Sequence, residues 1–534
     1  MTASRLRERN CANLETSHRS TACTATLGRA SQAVDPPQCE RVEGRYCGVM
    51  RVHVLRKVFQ LVRPLTEGRR RRATFQLAGL LALAATPTWA AAPALHSIDR
   101  AAIYSALRGS DEIGDPPSLT DSELWASLER HAVVELGQRI RPSDIDPMWA
   151  TNPSRRAVAR EMEEAQAKGR LKDWIAELPV PAAQYRTLLS IRGRYRNIVD
   201  NGGWPTIQAG ALLRKGMGGT AVAELRARLA IEGYLDDPAS DAPFDDALAT
   251  ALVNFQRHHD LTPDGVVGAA TRLALSVSAE DRLSQIEANL ERWRWVRDLP
   301  ADRLEVDVAA AEASLYLGDA VALSMRVIVG DPKHRTPLFT TRLASIVLNP
   351  PWNVPASIAE NELLPREAAN PGYLAANGFT RVNGGLRQAP GSKNALGQVK
   401  FDFPSPFGVY LHDTPARSLF AQSRRTLSHG CVRLEKPREL ALALLASRGW
   451  TREALDSAIM TGETQSIRLP VELPLIIVYR TVVANPDGSV TFRRDPYDWD
   501  AKLTRALATP GSPVAMMARA ETDCSVSKTP QAGL

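Results

Sequence analysis

The stretch VYLHDTPARSLFAQSRRTLSHGCVRL, residues 409–434, decides how this chain is to be read. Its opening residues up to His412 predict a strand, after which Thr414 and Pro415 suit the N-cap and first position of a short helix. The stretch closes in a loop, Ser428-His429-Gly430-Cys431, before the apolar Val432 and Leu434. A strand that leaves for a short helix and returns brings the chain back to its own strand end. On that path His412 meets Cys431, although 19 positions separate them.

That juxtaposition has a chemical purpose. A thiol attacks a carbonyl only as the thiolate, so it needs a base or cation to draw its pKa down from about 8.5. His412 is the base that the spacing offers. Gly430 lets the backbone turn tightly before Cys431, so that N–H groups there can meet a developing oxyanion. Arg433 then supplies a cation for a substrate carboxylate, or packs the loop.

Outward from this segment the chain has a mixed texture. Residues 304–317, 323–330 and 343–354 are short alternating runs separated by Gly, Asp and Pro, which predict a mainly β catalytic domain over 301–500. A helical pattern followed by a Gly-rich loop interrupts it at about 355–400 and reads as an inserted helical lid. Residues 91–205 carry apolar stripes at three- and four-residue spacing and read as a helical scaffold domain that ends at Gly202-Gly203-Trp204-Pro205. Residues 206–278 read as a small all-α module, 279–300 as a linker helix, and 501–534 as a disordered tail. The fold class expected is multi-domain α+β. His258 and His259, tempting as ligands, are read as surface residues at a helix end with no role.

The net charge of +7 is concentrated at the start: residues 1–90 hold 15 Lys/Arg against 6 Asp/Glu, which leaves the remainder at about −2. This argues against nucleic acid as a partner. Arg69 to Arg72 precede the apolar run Phe75 to Ala85, and Thr88-Trp89-Ala90 offers small residues for cleavage, so 1–90 read as a leader with a signal peptide and a mature start near Ala91. The run is roughly half the length of a membrane-spanning helix, so membrane association follows only if the leader stays uncleaved. Cys11, Cys23, Cys39 and Cys47 lie in a low-hydrophobicity stretch ahead of Met50, a candidate for the true start. Cys431 and Cys524 remain, and no pairing between them is expected.

With those residues in view, SHGCVRL and the upstream His of VYLHDTP resemble the catalytic motif of the L,D-transpeptidase family. The resemblance extends through VIVGDPKHRTPLF at 327–339, NPPWNVPASIA at 349–359 and RQAPGSKNALGQVKF at 387–401. FQRHHDLTPDGVVGAATRL, from Phe255 to Leu273, resembles a peptidoglycan-binding module. The resemblance implies a periplasmic enzyme that cross-links peptidoglycan stem peptides by two-step acyl transfer with no metal or organic cofactor, and that carbapenems acylate. It implies Cys431 as nucleophile, His412 as base, the backbone carbonyl of Asp413 as the group orienting that imidazole, and Ser428, His429, Gly430 and Arg433 as the surrounding site. Trp352, Tyr373 and Tyr410 are further candidates to line a substrate groove. Ser405 and Phe407 stand where the family has Asn and Tyr, which bears on the shape of the donor pocket and not on the chemistry.

Other reaction outcomes stay open at this level. L,D-carboxypeptidase activity or attachment of a protein to peptidoglycan would share the first step. Two other classes compete: a zinc peptidase using His412, His429 and Cys431, disfavoured by the two-position spacing on a short loop and the lack of an HExxH-like helix, and a non-catalytic wall-binding scaffold.

Overall fold

A computed structural model of the chain describes residues 94–108 and 119–508, apart from 154, 206, 208, 209, 211, 237–241 and 319. The leader, the proposed starts at Met50 and Ala91, and Cys524 lie outside the described residues.

The β runs form one closed sheet. Its strands are β1 (Arg303–Asp307), β2 (Glu312–Leu317), β3 (Ala320–Gly330) and β4 (Thr340–Leu348). A lid with β5 (Trp352–Asn353), β6 (Phe379–Val382) and β7 (Gly385–Gln388) follows. The chain then continues through β8 (Val399–Asp402), β9 (Leu411–His412), β10 (Thr426–Ser428), β11 (Val432–Leu434) and β12 (Gln465–Val478). The nine-stranded order is β10-β3-β11-β9-β8-β4-β12-β1-β2, and β2 also pairs with β3, so the sheet closes on itself. Along one edge of β3, β2 pairs as far as Arg326, and β10 takes over beside Val329 and Gly330. Alternate residues such as Val327, Leu343, Phe401, Leu411, Val432 and Leu475 point inward and fill the core.

The helical parts are welded to this barrel rather than hung from it. The helix Ala279–Trp295, expected as a linker, is buried almost throughout its second half. Its Arg292 reaches Asp500 at 2.5 Å, its Arg294 reaches Glu135 at 3.0 Å, and its Asn289 side chain bonds Thr481 at 2.7 Å. It packs on the helix Ala183–Asp200 and on the hairpin of β13 (Val482–Ala484) and β14 (Val490–Phe492). Trp149, from the helical part, enters the barrel core beside Trp295 and Trp499. The boundaries drawn at 205, 278 and 300 therefore mark changes of sequence texture but not breaks in packing. The described residues form one compact unit.

Four local expectations need correction. The tail drawn from 501 begins with a helix, Trp499–Ala508, whose Trp499 and Leu503 are buried at i, i+4 spacing. The helix expected after Pro415 is a 3-10 turn from Arg417 to Ala421. His259 is no surface residue: it is 5% exposed, stacked 3.8 Å from the Phe255 ring and 5.3 Å from Phe492, where β14 covers the helix end. The lid is likewise not helical alone. Its Gly-rich part pairs as β5-β7-β6, closing a small core of Leu363, Leu374, Phe379 and Leu386.

The small module folds around its signature. Gln256 donates to Asp264 at 2.8 Å, to the Val266 carbonyl at 3.0 Å and to Thr271 at 3.1 Å, while its carbonyl accepts the Gly265 N–H. The FQ, DG and T positions are thus one hydrogen-bonded turn, with Gly265 at φ +68°.

Candidate active site

Strand pairing sets the geometry. β9 and β11 run parallel, Leu411 beside Val432 and His412 beside Arg433, and β8 places Lys400 beside His412. Leu411, Val432 and Phe401 face the core. By the two-residue alternation, Tyr410, His412, Lys400, Cys431 and Arg433 share the opposite face. Cys431 lies just before β11, and the following Val432 N–H donates to the Tyr410 carbonyl at 3.1 Å.

His412 is 4% exposed, and its Nδ1 lies 2.5 Å from the Asp413 carbonyl oxygen. A carbonyl only accepts, so Nδ1 carries the proton and the lone pair sits on Nε2. Burial first, and the Arg433 cation next, push the imidazole pKa down to about 3, so the ring is neutral at neutral pH. The Asp413 carboxylate accepts from the Gln398 N–H at 2.9 Å and from Arg417 at 3.1 Å. Gly397 makes room for it: a Cβ there would lie 2.4 Å from the Asp413 carboxyl carbon, and φ is +62°.

The thiol does not match the expectation of a lowered pKa. Burial raises it, opposed by contacts with Tyr410 and by the charges of Arg433 and Lys400. The resting pair is a neutral thiol beside a neutral imidazole. Tyr410 adjoins the Cys431 thiol and takes a hydrogen bond from Trp352, and burial keeps its phenol protonated. Trp352, at the root of the lid, thereby joins the site. Tyr373 belongs to the packing of the lid itself, with Arg366 3.4 Å from its hydroxyl.

Ser428, His429 and Gly430 take other parts than lining a groove. Ser428 is 2% exposed; its hydroxyl donates to the Cys431 carbonyl at 2.5 Å and accepts the Gly430 N–H at 3.1 Å. It braces the turn, and the Gly430 N–H is spent on it. His429 is half-exposed, with Nε2 2.7 Å from Glu362 of the lid and its ring 4.6 Å from that of His334. Gly430 has φ +104°, as the turn requires. Arg433 is mostly buried and its Nε has no hydrogen-bond partner. Ser405 accepts the N–H groups of Phe407 and Val409, both at 3.3 Å, and the Phe407 ring packs 5.8 Å from Phe339, so both hold the strand entry.

Sequence reading missed what stands behind the loop. Thr336 is fully buried; its hydroxyl donates to the Gly430 carbonyl at 2.8 Å and accepts the Gly330 N–H at 2.9 Å. The Tyr497 hydroxyl accepts from the Thr336 N–H and donates to the Gly330 carbonyl at 2.6 Å. Only the TP of KHRTPLF hinted at this turn. Thr336→Val keeps the shape but strands a buried donor and acceptor, so it should lower stability by about 1–3 kcal/mol, read from denaturant midpoints. Wild-type midpoints should also fall with acid. The unfolded state protonates His412 and His259 near pH 6.5 whereas the folded state holds both near 3, so stability is full above 6.5 and is lost towards 3. The slope is up to about 1.4 kcal/mol per pH unit for each ring. His259→Phe should flatten it between pH 6.5 and 5, and an unchanged slope would contradict the assignment.

Among the described residues no group of three or more His, Cys, Asp or Glu side chains is placed to hold a metal ion, and His429 turns to Glu362. No described helix is long and apolar enough to cross a membrane.

A partly buried cysteine just ahead of one strand and a buried histidine on its parallel neighbour in a closed sheet, beside a lid, make this a candidate cysteine acyl-transfer domain. In comparison with known proteins, residues 301–456 match the family model described as the L,D-transpeptidase catalytic domain (YkuD). Residues 218–275 match the family described as "Putative peptidoglycan binding domain". A Haemophilus influenzae protein named "Putative L,D-transpeptidase" is 32% identical over 254 residues, 43% of this chain and 51% of that protein. The chain thus spans about half the length of the curated relative it matches. Solved structures give fainter likenesses. An L,D-transpeptidase from Mycobacterium smegmatis is 17% identical, with 33% of this chain and 58% of that one covered at a TM-score of 0.18. One from Xylanimonas cellulosilytica is 17% identical, with 51% and 98% covered at 0.16.

Proposed function

We propose that this chain is a peptidoglycan L,D-transpeptidase that works outside the cytoplasm, with Cys431 as nucleophile and His412 as its base. The observation that carries the reading is the shared sheet face of Cys431, His412 and Arg433 within the segment that matches the L,D-transpeptidase catalytic domain.

His412 takes the thiol proton as sulfur attacks the carbonyl carbon of the third residue of a donor tetrapeptide. A neutral imidazole with its lone pair on Nε2 suits a general base acting during attack rather than a standing ion pair. The oxyanion needs a backbone donor; with the Gly430 N–H engaged by Ser428, the Cys431 N–H is the donor we assign. Collapse breaks the C–N bond, the proton on His412 passes to the amine of the departing D-alanine, and a thioester remains. An acceptor amine then attacks, gives its proton to His412, and the C–S bond breaks as that proton returns to sulfur. Arg433 faces the donor carboxylate. Tyr410 and Trp352 steady the sulfur and line the donor side. The module at 206–278 holds the wall, and the leader exports the chain. No cofactor enters the steps.

The test incubates residues 91–534 with disaccharide tetrapeptide and, separately, a carbapenem, following products and intact mass. A cross-linked dimer and a carbapenem adduct on Cys431 are expected. Loss of D-alanine without dimer would assign a carboxypeptidase or another acceptor. Neither turnover nor adduct would leave a wall-binding scaffold.

A further inference from the structure

The base and the nucleophile depend on a strand pair too short to fix them by itself. β9 is two residues long, and its parallel pairing with β11 covers only Leu411 beside Val432 and His412 beside Arg433. A parallel ladder is the weaker kind per residue, and two positions of it leave the strands free to splay where they end. Any splay changes the distance from the His412 lone pair to the Cys431 sulfur.

One side chain closes that end. Arg417 opens the 3-10 turn that follows β9 and reaches back across the pair. Its Nη1 donates to the Asp413 carboxylate at 3.1 Å and to the Leu434 carbonyl at 3.4 Å, and its Nη2 donates to the Glu435 carbonyl. Asp413 directly follows β9, Leu434 is the last residue of β11, and Glu435 comes next. Because the strands are parallel, both ends lie on the same side, and one planar guanidinium ties them together.

The points it pulls on are themselves anchored. The Asp413 N–H donates to the Val399 carbonyl at 2.8 Å, and its carboxylate accepts the Gln398 N–H at 2.9 Å. The Glu435 N–H donates to the Arg326 carbonyl of β3 at 3.1 Å, and its carboxylate accepts the Arg326 N–H, also at 3.1 Å. Arg417 stacks 5.5 Å over the ring of the buried Phe420, which steadies the guanidinium. The residue whose carboxylate Arg417 holds is the one whose backbone carbonyl orients His412. Arg417 therefore reaches His412 through Asp413, and the Cys431 loop through β11.

We infer that Arg417 is a positioning residue for the acyl transfer proposed above: its guanidinium holds the ends of β9 and β11 together and so sets His412 against Cys431. The inference rests on that reading of the two residues. A lysine ammonium is a point charge without the planar fork, so it does not serve the carboxylate and both carbonyls at once. A cavity of about 350 Å³ beside the clamp is lined by Gln398, Asp413, Thr414, Arg417 and Arg438. With half of the Arg417 side chain exposed, its removal leaves a place that free guanidinium enters.

The test measures turnover of disaccharide tetrapeptide by the full chain as wild type, Arg417→Ala and Arg417→Lys, with thermal midpoints on the same preparations. In both variants kcat should fall about 10- to 100-fold with KM within about threefold, as for a misplaced reacting pair. Millimolar guanidinium chloride should restore Arg417→Ala several-fold and leave wild type and Arg417→Lys unchanged. A second readout needs no substrate: the downfield proton resonance of the His412 Nδ1–H, assigned by its loss in His412→Gln, should be sharp in wild type, broaden by exchange with water in both variants, and sharpen again in Arg417→Ala with guanidinium. Should Arg417→Ala lose its fold, Arg417→Lys carries the same decision. Turnover close to wild type in a folded variant, a raised KM at unchanged kcat, a loss that guanidinium does not restore in folded Arg417→Ala, or an unaltered imidazole resonance would each overturn the clamp. A wild type without turnover would overturn the acyl-transfer reading, and the resonance then decides the clamp alone.

Discussion

Cys431→Ala is expected to lower cross-linking by at least about a thousandfold while the fold and its thermal midpoint stay near those of the wild type. Every step proposed passes through sulfur, and neither His412 nor water on this face replaces it. The fold should survive because Cys431 only flanks the barrel core, and its loop is held by the Ser428 hydroxyl and by Thr336, neither of which bonds the sulfur. Steady-state turnover of the tetrapeptide, with calorimetric midpoints on the same preparations, checks both halves. Residual turnover within tenfold of wild type would remove Cys431 from the mechanism, whereas a collapsed midpoint would make the loss one of folding.

The second large effect is expected at a residue with no chemistry. Gly330 ends β3 at the point where the loop 331–336 folds back behind the nucleophile. A Cβ there would meet the His334 carbonyl oxygen at 2.0 Å and the Thr336 nitrogen at 2.7 Å. Both are backbone atoms, so no side chain can swing away. Gly330→Ala must push this loop off β3, and with it the Thr336 bond that holds the Gly430 carbonyl. Stability should fall by about 3 kcal/mol, in the manner of an overpacked core site. Turnover should fall about a hundredfold, since a nucleophile displaced by an ångström loses that much. Denaturant midpoints and turnover at a temperature where the variant remains folded separate the two effects. A variant with wild-type turnover would show that the loop behind Gly430 does not position Cys431.

Much of the organisation was legible in the chain. The alternation of 304–317 and 323–330 became β1, β2 and β3, and Phe255-Gln256, Asp264-Gly265 and Thr271 became one turn. These are short-range patterns, in which side-chain spacing mirrors the period of the strand or the hydrogen bonds of a turn. The strands of the lid were missed because β5 and β6 pair with β7 across a Gly-rich stretch with little apolar signal.

The sequence by itself determined which residue types meet at the site: a cysteine after a flexible glycine, a histidine ending a strand and an arginine two positions on; ahead of them it carries the 255–273 pattern that resembles a peptidoglycan-binding module. Tertiary structure alone decided their state. Neutral His412 and the raised Cys431 thiol are products of burial, which no local spacing encodes. The use of Ser428 as a brace, the approach of Trp352 to Tyr410, and the Thr336 and Tyr497 bonds behind Gly430 join residues as much as 167 positions apart. Such contacts follow from the register of a closed sheet, in which each strand's neighbours are fixed only when the whole barrel is complete.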